Sequence, residues 1–228
     1  MLEKLREEVF EANMELVRQG LVIYTWGNAS GIDRASGLVV IKPSGVDYDR
    51  MSPDDMVVVG LDGSIVEGAL RPSSDTPTHL ELYKAFPEVG GIVHTHSVYA
   101  TSWAQAGIDL PCLGTTHADY FHGSVPCTAD LTAAQVAGDY EKETGLAIVD
   151  RFKDVDYRHT PGVLVKNHGP FTWGSSPAKA AYHATVLETV AKMAIFSRQI
   201  NPSCTGNPLL DEKHFSRKHG PNAYYGQK

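Results

Sequence analysis

The chain reads as one α/β domain with a mixed or antiparallel sheet and helices on its faces. Three observations predict this. Short β-branched runs come in pairs around turn residues. Helical patterns stand between groups of such runs instead of alternating with single strands. No repeat, low-complexity tract or linker divides the 228 residues. A chain of this length should bury roughly 70–75% of its unfolded surface, which supports a full core without staples.

Taken in order, Leu2, Leu5, Val9, Ala12 and Leu16 recur every three or four residues, the pattern of an amphipathic helix that Gly20 can end. LVIYTWGNASGID and LVVIKPSGVDY are apolar runs on either side of a turn-rich segment, Gly27 to Gly31, and predict a hairpin with a functional loop. MVVVGLDGSIVEG predicts a second hairpin with Asp62-Gly63 as its turn. Pro77 follows Ser73-Ser74-Asp75-Thr76 at a first helical turn, and that helix should run to about Phe86. Gly90-Gly91-Ile92-Val93-His94-Thr95-His96 begins a strand. Leu131 to about Val149 is helix-compatible, with Asp130 or Thr132 as cap, and PGVLVKNHGPFTWG is a strand and turn. Ser175-Ser176-Pro177 opens the longest helix, where Val186, Val190 and Met193 mark one face and Glu188–Lys192 is an i,i+4 pair. After Asn201-Pro202 the chain turns polar and ends in a basic-aromatic tail.

Composition narrows the function classes. Hydrophobic residues make up 42% and charged residues 21%, which excludes a disordered or fibrous chain. No apolar run approaches the roughly 18–20 residues that span a bilayer, and MLEKLREEVF lacks the apolar core of a secretory signal, so no membrane partner is expected. Twenty basic against 27 acidic residues leave a net charge of −7, which gives no global electrostatic reason to bind nucleic acid. Cys112, Cys127 and Cys204 are odd in number and form no C-x-x-C, so the expected compartment is a reducing cytoplasm.

Two chemistries stand out. His94 and His96 lie two apart in a strand-like run, so period 2 puts both imidazoles on one face, about 6–7 Å apart. Neutral imidazoles suit a borderline ion such as Zn²⁺ or Mn²⁺; two half-exposed histidines bonded to neighbours would look the same in sequence. His168 follows the apolar Val163-Leu164-Val165, and Asp75 sits among hydroxyl residues at a predicted helix start. Three imidazoles and a carboxylate would fill a tetrahedral set, although spacing alone does not bring them together. The second chemistry is anion binding. Gly27-Asn28 lies in a turn, Ser44-Gly45 follows Lys42-Pro43, and Ser73-Ser74 precedes a helix start, where unpaired N–H groups carry partial positive charge. Lys42 would add a full charge. Each segment is also ordinary turn or cap chemistry, and no phosphate-loop or dinucleotide fingerprint is present.

Together, TWGNASGID, IKPSGVDY, RPSSDTPTH, GGIVHTHS, GTTHADYFHG, GVLVKNHGPF and KHGPNAYYGQ resemble the class II aldolase/adducin family over nearly the whole chain, and within it the 4-epimerase branch. The resemblance implies a single α/β/α domain, residues 1–228, around a central, largely antiparallel sheet. It also implies a cyclic homotetramer with active sites at subunit interfaces. It makes His94, His96, His168 and Asp75 ligands of a divalent metal, zinc first, with manganese or cobalt as alternatives. Gly27, Asn28, Lys42, Ser44, Gly45, Ser73 and Ser74 fall on substrate and phosphate contacts. Asp119 falls on the catalytic acid/base, and Tyr225 on a catalytic tyrosine supplied by a neighbouring subunit. Arg217 and His214 lie in the same tail and approach that site. The implied reaction interconverts L-ribulose 5-phosphate and D-xylulose 5-phosphate by breaking and remaking C3–C4, in L-arabinose breakdown or, with the same residues, in L-ascorbate breakdown. Fuculose-type aldolases of the family carry Glu where Asp75 stands and lack the aspartate of HADY, so both positions favour the epimerase. Adducin-like relatives without catalysis lose the metal ligands, which this chain retains.

Overall fold

Side-chain alternation along one short strand already separates the layers. In Val57–Gly60, Val57 and Val59 join one apolar cluster and Val58 another, on opposite faces of the sheet. The computed structural model describes residues 2–220 and 223–224. Its seven strands are β1 (Asn28–Asp33), β2 (Leu38–Ile41), β3 (Val57–Gly60), β4 (Ile65–Glu67), β5 (Gly91–His94), β6 (Gly162–Leu164) and β7 (Pro170–Gly174). They form one sheet in the order β4-β3-β2-β1-β5-β7-β6, antiparallel at every pairing.

The helices are α1 (Glu3–Arg18), α2 (Thr76–Ala85), α3 (Val98–Ala106), α4 (Thr115–Ala118), α5 (Ala133–Ala137), α6 (Tyr140–Arg151), α7 (Pro177–Ile200) and α8 (Pro208–His219). On one face Val39, Val57, Val59, Ile92 and Trp173 pack with Leu82 and Tyr83 of α2, with Phe86 just after it, and with Ile148 of α6. On the other, Val40 and Val58 meet Val9 of α1, and Ala29 and Val93 meet Ala180, Ala181 and Ala184 of α7. Each large side chain so buried contributes roughly 1.5–3 kcal/mol. The α/β/α layers and the antiparallel sheet are those expected. No described helix is long and apolar enough to cross a membrane.

Four expectations are corrected. Gly27 to Gly31 is not a turn: LVIYTW is loop, and strand β1 begins at Asn28. Its residues are small because helices press on them. A Cβ on Gly31 would lie 2.8 Å from Leu5 Cδ1 and Pro177 Cγ, and one on the facing Gly91 would lie 2.3 Å from the Pro177 nitrogen. Small residues here serve close packing of α1 and α7, which local sequence cannot distinguish from turn chemistry. Second, the helix expected over 131–149 is two, α5 and α6, broken at Gly138, although Thr132 does cap the first through Gln135 N–H. Third, the polar tail contains α8, capped by Asn207; only Phe215 of it is buried, so it carries little apolar periodicity. Fourth, the Glu188 carboxylate accepts the Tyr99 and Ala100 N–H groups at 2.9 and 2.8 Å, closing the start of α3, while Lys192 lies over the Tyr99 ring.

Candidate active site

The sheet delivers the histidines to one place by register. His94 ends β5 opposite Asn28 of β1 and Phe171 of β7, and the β6–β7 turn brings His168 beside it. In that turn Asn167 takes the left-handed backbone (φ 62°), and its side-chain amide donates to Asp130 at 3.0 Å. His96 lies past the end of the strand, so the chain's turn into α3, not strand alternation, folds it back over His94. Ring centroids are 4.9 Å apart for His94–His96, 4.7 Å for His94–His168 and 5.0 Å for His96–His168. One nitrogen from each falls within 4.8 Å of the others.

Electrostatics keep these rings neutral. Burial pushes His94 down to about 3, with the nearby Asp75 charge opposing, and burial likewise holds His96 and His168 below the ordinary imidazole value. His94 Nδ1–H donates to the Pro170 carbonyl at 3.0 Å, so its Nε2 keeps a lone pair, 3.0 Å from His96 Nε2. Three neutral, converging imidazoles with a fixed tautomer in one of them suit a divalent cation.

Asp75 occupies the N-cap position of α2 without capping it. Its Oδ2 instead accepts the Asn28 amide at 2.7 Å, and the carboxylate lies outside the close group of nitrogens, on the wall facing them. The same Asn28 amide donates to Ser73 Oγ at 3.0 Å, while Asn28 Oδ1 is buried without a partner. These groups line a cleft of about 510 Å³ that also holds Gly27, Ser44, Gly45, Ser74 and the three histidines. Ser44 N–H bonds Arg71 O and Ser73 N–H bonds Lys42 O, which sets the two serine loops side by side. Gly27 (φ 72°) is required where it stands, since a Cβ would come 2.9 Å from the His94 carbonyl.

Lys42 behaves differently from a free phosphate ligand. It is 1% exposed, and Nζ donates to the carbonyls of Thr25, Pro43 and Val46 at 3.3, 3.4 and 3.1 Å. Burial lowers it to about 8, so it still carries charge at neutral pH while bracing the segment at Thr25 and the loop at 43–46. Sequence reading missed Tyr140 and Glu141, which line the cleft from the start of α6. No motif marks them; only the packing of α6 on α2 brings them in.

Asp119 and Arg217 are not in the cleft wall. Asp119 follows α4 and is gripped by α8: Arg217 Nη2 lies 2.9 and 3.0 Å from its two oxygens, His214 Nδ1 3.1 Å and Lys218 Nζ 3.5 Å away. Burial opposes ionisation of Asp119, but Arg217, His214 and Lys218 hold it below the usual carboxylate value. His219 Nε2–H donates to the Asp119 carbonyl, and His219 and Tyr120 line a groove with Gly174 and Ser175. That groove lies at the end of β7, roughly 13 Å along the strand from the Pro170 end that carries the histidines. Tyr225 lies outside the described residues; Tyr224 N–H bonds Arg217 O.

Comparison with known proteins agrees with this architecture. L-ribulose-5-phosphate 4-epimerase UlaF of Salmonella paratyphi C (strain RKS4594) is 58% identical over 230 residues, covering all of both chains. Its counterpart from Salmonella choleraesuis (strain SC-B67) matches equally. A solved L-fuculose 1-phosphate aldolase superposes with a TM-score of 0.79 at 24% identity, covering 94% of this chain and 95% of that one, a likeness of fold. YgbL from Escherichia coli gives 0.73 at 23% identity over 94% and 99%. The model of the Class II Aldolase and Adducin N-terminal domain matches residues 7–195, and the chain therefore belongs to the class II aldolase and adducin family.

Proposed function

We propose that this chain interconverts L-ribulose 5-phosphate and D-xylulose 5-phosphate as a divalent-metal-dependent 4-epimerase. The observation that carries the reading is end-to-end identity of 58% with two proteins named for that activity. The converged neutral imidazoles beside two serine-bearing loops support it. His94, His96 and His168 would hold the cation, with Asp75 as the fourth ligand; zinc suits imidazole best, with manganese or cobalt as alternatives. When bound, such an ion supplies a Lewis acid for the ketose oxygens.

The remaining chemistry belongs to the chain. C4 of a 2-ketopentose bears no acidic hydrogen, so inversion proceeds by cleaving C3–C4 into the enediolate of dihydroxyacetone and glycolaldehyde phosphate. The aldehyde turns its other face, and the bond re-forms. Ser44, Gly45, Ser73 and Ser74 grip the phosphate, keeping the two-carbon fragment in place while it turns. Gly27 and Asn28 shape the wall beside it. One acid/base takes the C4 hydroxyl proton on cleavage and a second returns one on re-addition, roles we give to Asp119 and Tyr225. On this reading both groups come from a neighbouring subunit of a homotetramer, which suits an Asp119 whose helix partners meet the Gly174 end of β7. Arg217 and His214 hold the Asp119 carboxylate for that neighbour's site. The three free cysteines fit a cytoplasmic enzyme, and the interconversion serves pentose breakdown, whether L-arabinose or L-ascorbate supplies the sugar.

The test is turnover of L-ribulose 5-phosphate, measuring both D-xylulose 5-phosphate and glycolaldehyde phosphate, before chelation, after it, and after return of Zn²⁺ or Mn²⁺. Metal-restored xylulose phosphate with little free aldehyde is expected. Net cleavage would reassign the chain as an aldolase, and absence of turnover with metal bound would reject the substrate.

A further inference from the structure

A cation-binding histidine needs a second partner that decides which of its nitrogens carries the proton. His94 has Pro170 O. For His168 that partner is a side chain: Tyr140 Oη lies 3.3 Å from Nδ1, with the rings tilted by 37° at 6.1 Å. We propose that Tyr140 is a positioning residue for the cation site, accepting His168 Nδ1–H and so keeping the Nε2 lone pair toward His94 and His96. The proposal rests on the reading of these three histidines as cation ligands.

The hydroxyl is delivered from a rigid support. Tyr140 opens α6, and its carbonyl accepts Thr144 Oγ1–H at 2.9 Å. The next carbonyl, of Glu141, accepts Thr78 Oγ1–H from the first turn of α2. One turn further on, a Cβ on Gly145 would lie 2.8 Å from Glu81 Cβ and 3.0 Å from Thr78 O, so the helices are in backbone contact. Thr78 meets Glu141 while Glu81 meets Gly145, so α2 and α6 run parallel with their N-termini at the cleft. The pair presents Asp75 from one helix and Tyr140 from the other. Loss of the hydroxyl would leave His168 free to rotate or to place its proton on Nε2, where it blocks ligation.

The test measures the Zn²⁺ dissociation constant by competition with a chromophoric chelator, with no turnover involved. Four proteins are compared: wild type, Tyr140→Phe, His168→Gln and the double variant. Tyr140→Phe is expected to bind Zn²⁺ about 10–100-fold more weakly, the range for losing such a partner. In the His168→Gln background the same change should cost less than about twofold, because a group acting through His168 has nothing left to act on. That comparison holds even if Tyr140→Phe lowers stability, since both backgrounds share any folding cost. Wild-type affinity in Tyr140→Phe, or an equal loss in both backgrounds, overturns the proposal while leaving the histidine site standing. Failure of the wild-type protein to bind Zn²⁺, with His168→Gln unchanged, would overturn the cation reading and this proposal together.

Discussion

Subunit complementation gives a sharp consequence of where Asp119 lies. The Asp119 cluster meets the Gly174 end of β7, whereas His94 and His168 gather at its Pro170 end, roughly 13 Å away along the strand. On the proposed reading, a site that uses both draws the histidines from one chain and Asp119 from the next. Asp119→Asn alone should lose about 10²–10⁴-fold in turnover, the range for one acid/base group, with Zn²⁺ binding unchanged. His96→Asn alone should lose activity through the cation. Mixed in equal amounts in a cyclic assembly, a competent site needs intact histidines from an Asp119→Asn chain and an intact Asp119 from a His96→Asn neighbour. Random mixing gives that pairing at about one site in four, so about a quarter of wild-type turnover should return. A mixture of Asp119→Asn with Tyr225→Phe should recover nothing, because on the proposed reading a site takes both groups from the same neighbouring chain. The assay is xylulose phosphate formation after denaturation and joint refolding, with mixed tetramers verified by native mass spectrometry. No recovery from confirmed His96→Asn/Asp119→Asn hybrids, or recovery from the second mixture, would refute the reasoning.

Three further outcomes follow from particular contacts. Gly91→Ala places a methyl 2.3 Å from the Pro177 nitrogen, a backbone atom that cannot swing away; the cost should be about 1–3 kcal/mol or more, lowering the thermal midpoint by roughly 2–4 °C per kcal/mol. His117 and His183 are buried, donate to the carbonyls of Gly123 and Trp173, and are pushed by burial to about 4. The unfolded chain takes up these protons near 6.5 and the folded chain only near 4, so their contribution is full above pH 6.5 and is lost as the pH falls toward 4. Each histidine should add a slope approaching about 1.4 kcal/mol per pH unit in that window, and urea titrations of wild type and His183→Gln at pH 7.5 and 5 would expose its absence. Finally, a Ser73→Ala/Ser74→Ala variant should release more glycolaldehyde phosphate per epimerisation than wild type, and unchanged partitioning would show that these hydroxyls do not retain the fragment.

Much of the fold was legible because its signals are local. Ser176-Pro177 caps and starts α7, Thr132 with Gln135 starts α5, and Asp62-Gly63 turns the β3–β4 hairpin; each needs only a few neighbouring residues to act. The histidines and serine loops were equally visible as residue types in a specific order. By itself, then, the sequence determined several helix starts and the β3–β4 turn, and it displayed the histidines, Asp75 and the serines of the cleft, but not Tyr140 or Glu141. The tertiary structure decided what those residues do. Small residues at 29–31 lie in a strand, where Gly31 and the facing Gly91 let α7 approach the sheet closely. Lys42 braces loops because three carbonyls surround it. Tyr140 reaches His168 because α6 packs on α2 at a glycine, and Asp119 stands apart because α8 closes over α4. The physical reason is the same in each case: caps and turns are settled within one turn of chain, whereas sheet register and helix approach are set by contacts between residues tens of positions apart.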